Sequence, residues 1–121
     1  MKILLVDDSK TMRRIVRRAL QEAGYGRETI TEANDGDEAF NLVQTDCPDL
    51  LLSDWNMPGT NGIELLEKIK SSGFSLKFGF VTSECTPEMR SRATEAGAQF
   101  LIAKPFTATD FQDVLDREFG R

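Results

Sequence analysis

Five short apolar runs alternate along the chain with segments whose apolar residues recur every three or four positions. Short apolar runs bounded by turn residues are typical of strands buried on both faces, and the longer period is typical of amphipathic helices. The predicted strands are residues 2–7, 29–33, 50–53, 76–82 and 99–103. This alternation predicts an α/β fold, a doubly wound five-stranded parallel sheet with five helices, whose strand order the spacing leaves open.

The first predicted helix runs from about residue 9 to 24 and is capped by Ser9 or Asp8. Its apolar residues recur at helical spacing: Met12, Ile15, Val16, Ala19, Leu20 and Ala23. Arginine and lysine lie between them and predict a locally basic, solvated face.

Three of the other helices are predicted to begin at capping patterns, which are a capping box of Asp35 and Glu38, Thr86 followed by Pro87, and Thr107 with Asp110. The third helix is predicted over Gly62 to Ser72 from its apolar spacing. The fourth helix carries little apolar area, so we expect it to be held weakly.

The composition favours one globular domain over residues 1–121 and argues against a nucleic-acid partner. The formal net charge is −5, whereas nucleic-acid binding needs a basic surface. The apolar run at the N-terminus is too short for a membrane span, so a cytoplasmic location is expected. Cys47 and Cys85 lack the spacing of a metal site, and the chain has no histidine, so we expect free thiols.

Asp54 ends the leucine strand and precedes a Pro58–Gly59 turn. Ligands of open α/β sheets bind at the carboxyl ends of the strands, which gives Asp54 the position of a reactive group. The alternative is that Asp54 only begins a turn through its own side-chain hydrogen bonds, which is the commoner use of such a residue.

Potentially reactive side chains follow four of the five strands: Asp7 and Asp8, Asp54, Thr82 and Lys104. If the first and third strands are neighbours, three carboxylates converge and need a cation, for which Mg²⁺ is the expected ion. A lysine and a hydroxyl aimed at the same place favour a bound phosphoryl group, with a carboxylate as nucleophile. Each residue also has an ordinary alternative as a helix cap, strand residue or surface ion-pair partner.

The same residues resemble the signature of the receiver domains of two-component response regulators. The matching motifs are Asp7–Asp8, the DWNMPG stretch from Asp54, Thr82 and the KPF stretch from Lys104, and the resemblance covers essentially the whole chain. The DWNMPG and KPF stretches are most similar to the single-domain chemotaxis type. The resemblance implies a flavodoxin-like sheet with strand order 2-1-3-4-5.

The resemblance also implies a role for each site residue. Asp54 is the phosphorylation site, and its phosphoryl donor is a histidine kinase or phosphotransfer protein. Asp8, Asp54 and the Asn56 main-chain carbonyl bind Mg²⁺, with Asp7 acting largely through water. Lys104 contacts the phosphoryl group. The peptide bond between this lysine and the following proline is often cis in the family. Thr82 is the switch, and Asn56 and Glu84 occupy the two rate-tuning positions.

One position departs from the family pattern. Receiver domains usually have Tyr or Phe three residues before the lysine, where this chain has Leu101, with Phe100 predicted on the opposite face of the strand. An output protein is expected to bind the face of the fourth helix, fifth strand and fifth helix. Because leucine lacks the ring, we expect Thr82 to be coupled to this face through other contacts.

Two alternative functions follow from the same residues. A Mg²⁺-dependent phosphatase with an aspartyl-phosphate intermediate would resemble haloacid dehalogenases, which have a second acid two residues after the nucleophile, where this chain has Asn56. A binding module that does not depend on phosphorylation would not need the intact acids, Thr82 and Lys104. We therefore expect a signalling domain that turns over no small molecule.

Overall fold

Five parallel strands form one sheet in the order β2-β1-β3-β4-β5 in the computed structural model, which describes residues 1–121. The strands are β1 (Lys2–Val6), β2 (Thr29–Ala33), β3 (Leu50–Ser53), β4 (Lys77–Thr82) and β5 (Phe100–Ala103). The helices are α1 (Lys10–Leu20), α2 (Gly36–Thr45), α3 (Gly62–Ser71), α4 (Pro87–Ala96) and α5 (Ala108–Phe119). The predicted fold class and strand order are confirmed. No helix has both the length and the apolar content that crossing a bilayer requires.

The boundaries differ from the predicted ones by a few residues. Strand β1 ends at Val6, so Asp7 lies just beyond it rather than inside. Helix α1 ends at Leu20, and the chain continues through a π-helical turn over Gln21–Tyr25. Within that turn Gly24 has a φ of 96°, a left-handed conformation that favours glycine. The regular helix therefore ends four residues before the predicted end at residue 24.

The buried face of α1 differs from the predicted apolar face at two positions. Ile15 is 46% exposed, whereas Arg13 is only 7% exposed. Arg13 shares the inward face with Val16 and Leu20, which follow at three and seven residues. Residues i and i+2 of a helix point about 200° apart around its axis. Burying the Arg13 side chain therefore turns the Ile15 side chain toward solvent. The prediction for Ile15 was therefore wrong.

The helix caps follow the sequence with one exception. Ser9 caps α1 and Thr107 forms a full capping box with Asp110. Asp35 accepts the Glu38 N–H at 2.8 Å, but the Glu38 carboxylate contacts Asn34 instead of closing the box.

A second full capping box, Asn61 with Glu64 at the start of α3, was not predicted. It has the same spacing as the Thr107–Asp110 box, so the sequence pattern was sufficient to find it.

The sheet separates two hydrophobic clusters. In β3, Leu51 belongs to the cluster that includes residues of α2 and α3, whereas Leu50 and Leu52 belong to the cluster that includes residues of α1 and α5. In β5, Leu101 packs against the first cluster and Phe100 belongs to the second, so the predicted opposite orientation of these two side chains is confirmed.

Helix α4 is held least by burial. It contributes only Ala93 as a fully buried residue, and α3 contributes five. This agrees with the thin apolar face expected from the sequence.

Gly79 lies in the middle of β4, directly opposite Phe100 of β5, and the aromatic ring covers its Cα. A Cβ at position 79 would overlap three carbons of that ring. We expect Gly79→Ala to lower the free energy of unfolding by about 2 kcal/mol, measured by urea denaturation, because the core is already filled. Adding Phe100→Leu should recover part of the loss. A single variant as stable as the wild type would contradict this packing.

Candidate functional site

The site lies where the sheet topology brings the carboxyl ends of β1, β3, β4 and β5 to one edge. Val6 is paired with Ser53, so the residues that follow them, Asp7 and Asp54, leave neighbouring strands side by side. The Asp54 N–H donates to the Val6 carbonyl at 3.0 Å, and the Asp7 N–H donates to Ala33 at 3.2 Å. Both acidic residues are therefore fixed through their backbones as well as by their strands.

Three carboxylates meet at this edge. One carboxylate oxygen from each of Asp7, Asp8 and Asp54 lies within 4.8 Å of the others. The Asp7 and Asp54 side chains are 9% and 15% exposed, and Asp8 is exposed. The cluster is thus open to solvent on the Asp8 side and enclosed behind it.

Lys104 supplies the opposite charge. Its Nζ lies 3.4 Å from Asp7 Oδ2 and 3.4 Å from Asp54 Oδ2. The Lys104 N–H donates to the Thr82 carbonyl at 2.9 Å, and the Lys104–Pro105 peptide bond is cis. One ammonium is shared between two of the three carboxylates, so the cluster keeps an excess of negative charge.

Asp54 uses its two carboxylate oxygens differently. Oδ1 accepts the main-chain N–H of Trp55 at 2.7 Å, and Oδ2 faces Lys104. The Trp55 ring is buried against Phe80, with ring centroids 4.7 Å apart. The local hydrogen bond expected of a turn-forming Asp is present, and the second oxygen points to the charged group that a phosphoryl site needs.

The environment of Asp7 disfavours its charged form. Burial raises the pKa of the Asp7 carboxyl above its ordinary value, and the Asp54 carboxylate acts in the same direction. The Ser9 N–H, which donates to Asp7 Oδ1 at 2.9 Å, and the Lys104 ammonium lower this pKa but do not cancel the effect of burial. A cation among the carboxylates would remove the repulsion.

The raised pKa of Asp7 leads to a prediction about stability. A carboxyl whose pKa is higher in the folded protein stabilises it fully below the unfolded pKa, and this contribution is lost as pH rises through the folded pKa. At pH 7 without divalent ions, Asp7→Asn should therefore raise the free energy of unfolding by about 1 kcal/mol, since burial and the neighbouring Asp54 carboxylate both disfavour a charge at position 7. The gain should shrink as the pH falls toward 4. Thermal unfolding measures both, with the exposed Asp113→Asn as control, and a less stable Asp7→Asn protein would contradict the interpretation.

Thr82 lies beside this cluster but is turned inward. It is fully buried, and its hydroxyl accepts the Glu84 N–H at 3.3 Å. The thiol of Cys85 donates to the Thr82 carbonyl at 3.5 Å, and both Cys47 and Cys85 are free thiols, as predicted.

The two residues at the predicted rate-tuning positions contact each other. Asn56 Nδ2 donates to Glu84 Oε1 at 3.1 Å, and both residues are exposed. This hydrogen bond joins the loop after β3 to the loop after β4 at the carboxyl edge of the sheet. Sequence reasoning did not find it, because nothing in the spacing indicates which way two exposed loop side chains point.

The donor set suits a hard divalent cation. Oxygens bound to one Mg²⁺ each lie about 2.1 Å from it, so a cluster within a few ångströms closes around the ion with small side-chain rotations. Asp7, Asp8 and Asp54 are the residues that would hold it, with water completing the shell. Ligation by the Asn56 carbonyl stays a prediction.

Sequence reasoning missed one residue of the site's surroundings. Arg13 is buried and its Nη1 donates to the Asp7 main-chain carbonyl at 2.5 Å. The signal was present in its spacing with Val16 and Leu20, which places it on the inward face of α1.

A 2-1-3-4-5 parallel sheet with acidic residues and a lysine at its carboxyl edge places the chain in the flavodoxin-like, CheY-like class of α/β proteins. Residues 3–116 match the family model of the response regulator receiver domain. The chain therefore belongs to the response regulator receiver domain family.

Similar proteins agree with this assignment. The chemotaxis protein CheY-3 of Vibrio cholerae is 40% identical, over 100% of this chain and 93% of that protein. The chemotaxis protein CheY of Pseudomonas aeruginosa is 37% identical, over 100% and 98%. Among solved structures, Vibrio cholerae CheY4 has a TM-score of 0.82 at 32% identity, with 96% of each chain covered. The receiver domain of the putative response regulator NarL from Mycobacterium tuberculosis has a TM-score of 0.84 at 28% identity, covering 99% and 97%.

Proposed function

We propose that the protein is a two-component signalling domain that accepts a phosphoryl group on Asp54 from a histidine kinase or phosphotransfer protein. The observation that carries the proposal is the position of Lys104, whose Nζ lies 3.4 Å from both Asp7 and Asp54 within the cluster of three carboxylates. An ammonium beside a carboxylate nucleophile neutralises the charge that a transferred phosphoryl group brings.

In the proposed reaction an Asp54 carboxylate oxygen attacks the phosphorus of a phosphohistidine. A P–O bond forms as the P–N bond breaks, and the electron pair of the broken bond returns to the donor imidazole. Lys104 stabilises the phosphoryl oxygens, and Asp7, Asp8 and Asp54 would hold the metal. A bound Mg²⁺ supplies further charge neutralisation. The product is an acyl phosphate on Asp54, which water later hydrolyses to restore the carboxylate. Because the proposed donor is the phosphohistidine of another protein, signalling itself requires no small-molecule substrate.

The phosphoryl group is proposed to bias a two-state equilibrium of the face formed by α4, β5 and α5, which binds an output protein. Thr82 leaves its buried position to donate to the phosphoryl group, and Leu101 lies on the same side of the sheet as α4. Moving such an equilibrium from 1:99 to 99:1 takes about 5.5 kcal/mol. New charge-assisted hydrogen bonds to Thr82 and Lys104 contribute to that difference. By similarity to the named relatives, we propose a cytoplasmic role in chemotaxis.

Mass spectrometry tests the proposal. Incubation with Mg²⁺ and a small phosphodonor such as acetyl phosphate should add about 80 Da, the mass of one phosphoryl group. Chelating the metal should abolish the addition, and fragmentation should locate it in the segment that contains Asp54. No adduct in the presence of Mg²⁺ would reject the proposal. Repeated turnover of an added phosphomonoester would instead favour a phosphatase.

A further inference from the structure

Arg13 is a charged residue on the buried face of α1, where it contacts the backbone of Asp7. Its residue exposure is 7%, and the other buried polar residues, Asp7, Ser53 and Thr82, all lie at or beside the carboxyl edge of the sheet. Burying a guanidinium is unfavourable by several kcal/mol unless it is paired and hydrogen-bonded. The neighbouring Arg14 is exposed, so burial is specific to position 13.

The Arg13 guanidinium is satisfied by two groups from different elements. Nη1 donates to the Asp7 main-chain carbonyl at 2.5 Å, in a fully buried contact. Nε donates to Glu32 Oε1 on β2 at 2.8 Å. Arg17 donates to the other Glu32 oxygen at 3.4 Å and to the Ile30 carbonyl at 3.2 Å. Glu32 therefore anchors Arg13, and Arg13 holds the backbone of Asp7.

The held carbonyl belongs to the peptide that joins Asp7 to Asp8. The Asp7 N–H already donates to Ala33, so Asp7 is fixed on both sides of its Cα. With the plane of the Asp7–Asp8 peptide fixed, the direction of the Asp8 side chain depends on far fewer torsions. Arg13 also lines a cavity of about 10 Å³ together with Asp7, Ser53, Asp54 and five apolar residues, so it lies close to the acidic site.

We propose that Arg13 is a positioning residue of the metal site: it orients the Asp7–Asp8 peptide so that both carboxylates face Asp54. Arg13 touches neither the ion nor the phosphoryl group in this role. The inference rests on the proposed function, because it concerns the Mg²⁺ that phosphoryl transfer would use. Partners that orient metal ligands commonly change metal affinity 10- to 100-fold when they are replaced.

The sign of the change distinguishes positioning from simple charge. Arg13→Met removes a positive charge near three carboxylates, and through-space electrostatics alone predicts tighter Mg²⁺ binding. Loss of positioning predicts weaker binding, by about 10-fold. A purely structural role predicts a less stable protein whose Mg²⁺ affinity is unchanged.

The experiment measures Mg²⁺ dissociation constants from Trp55 emission and from the Mg²⁺ dependence of the thermal unfolding midpoint. Arg13→Met is compared with Arg14→Met and Arg17→Met, which remove the same charge from the same helix. Arg17→Met also removes a partner of Glu32 but leaves the Asp7 carbonyl held. We expect weaker Mg²⁺ binding in Arg13→Met only.

A second variant covers the case in which Arg13→Met does not fold. Arg13→Lys keeps the charge but lacks the two-sided fork of the guanidinium, so its Mg²⁺ affinity should also fall. Unchanged or tighter binding in the folded Arg13 variants, or an equal loss in Arg17→Met, would overturn the inference. If the wild type itself showed no Mg²⁺ response, the proposed function would fail instead, and the two failures are therefore distinguishable.

Discussion

Asp54→Asn is expected to abolish the phosphoryl adduct. The amide of asparagine is a far weaker nucleophile than a carboxylate, and the other two acids of the cluster cannot replace it. Asp7 is fixed at both its N–H and its carbonyl, and Asp8 is the exposed member, which has no ion-pair contact with Lys104. The measurement is intact mass after incubation with acetyl phosphate and Mg²⁺, which should show no added mass.

Asp113→Asn is the matched control, since Asp113 is exposed on α5 and lies outside the acidic cluster. It should form the same adduct as the wild type. An adduct of equal yield on Asp54→Asn would place the acceptor elsewhere and remove the central assignment.

Lys104→Met is expected to slow adduct formation by about 100-fold, in the range seen when one preorganised donor to a developing charge is removed. Methionine keeps most of the side-chain length but not the ammonium that lies 3.4 Å from both Asp7 and Asp54. The rate is followed by mass spectrometry at fixed Mg²⁺ and phosphodonor. Lys70→Met, an exposed substitution on α3, should leave the rate unchanged.

A companion Mg²⁺ titration separates the two roles that Lys104 could have. Removing a cation from the acidic cluster should strengthen Mg²⁺ binding, since the ion no longer meets a like charge. If Lys104→Met forms the adduct slowly but binds Mg²⁺ with normal or higher affinity, the slower rate is due to the lost contact between Lys104 and the phosphoryl group. A rate within twofold of the wild type would contradict the role proposed for this lysine.

The elements that follow from short-range patterns were predicted well. The leucines of β3 and the caps at Ser9, Thr86 and Thr107 are set by residues close in sequence, and the structure has them where expected. The meeting of Asp7 and Asp54 also followed, because parallel strands end at one edge and the resemblance supplied the strand order. The roles of these residues stay predictions.

The features that sequence reasoning missed depend on tertiary contacts. A period of three to four residues makes Ile15 look like a core residue, but the Asp7 carbonyl and Glu32 draw Arg13 inward and turn Ile15 out. The contact between Asn56 and Glu84 joins two loops that are distant in the chain. The spacing of Arg13 with Val16 and Leu20 is the one local signal of the first arrangement, and the second has none. The box at Asn61 and Glu64 differs, since its pattern was present and was overlooked.

Because α4 is sparsely packed, the free-energy cost of displacing it is small. Ala93 is its only fully buried residue, and withdrawing one such methyl group from the core is unfavourable by about 1 kcal/mol. By contrast, every residue of β3 is buried, and α3 buries five of its ten residues. If Asp54 accepts a phosphoryl group as proposed, α4 is therefore the helix whose displacement meets the least resistance, while the buried strand β3 keeps Asp54 in place.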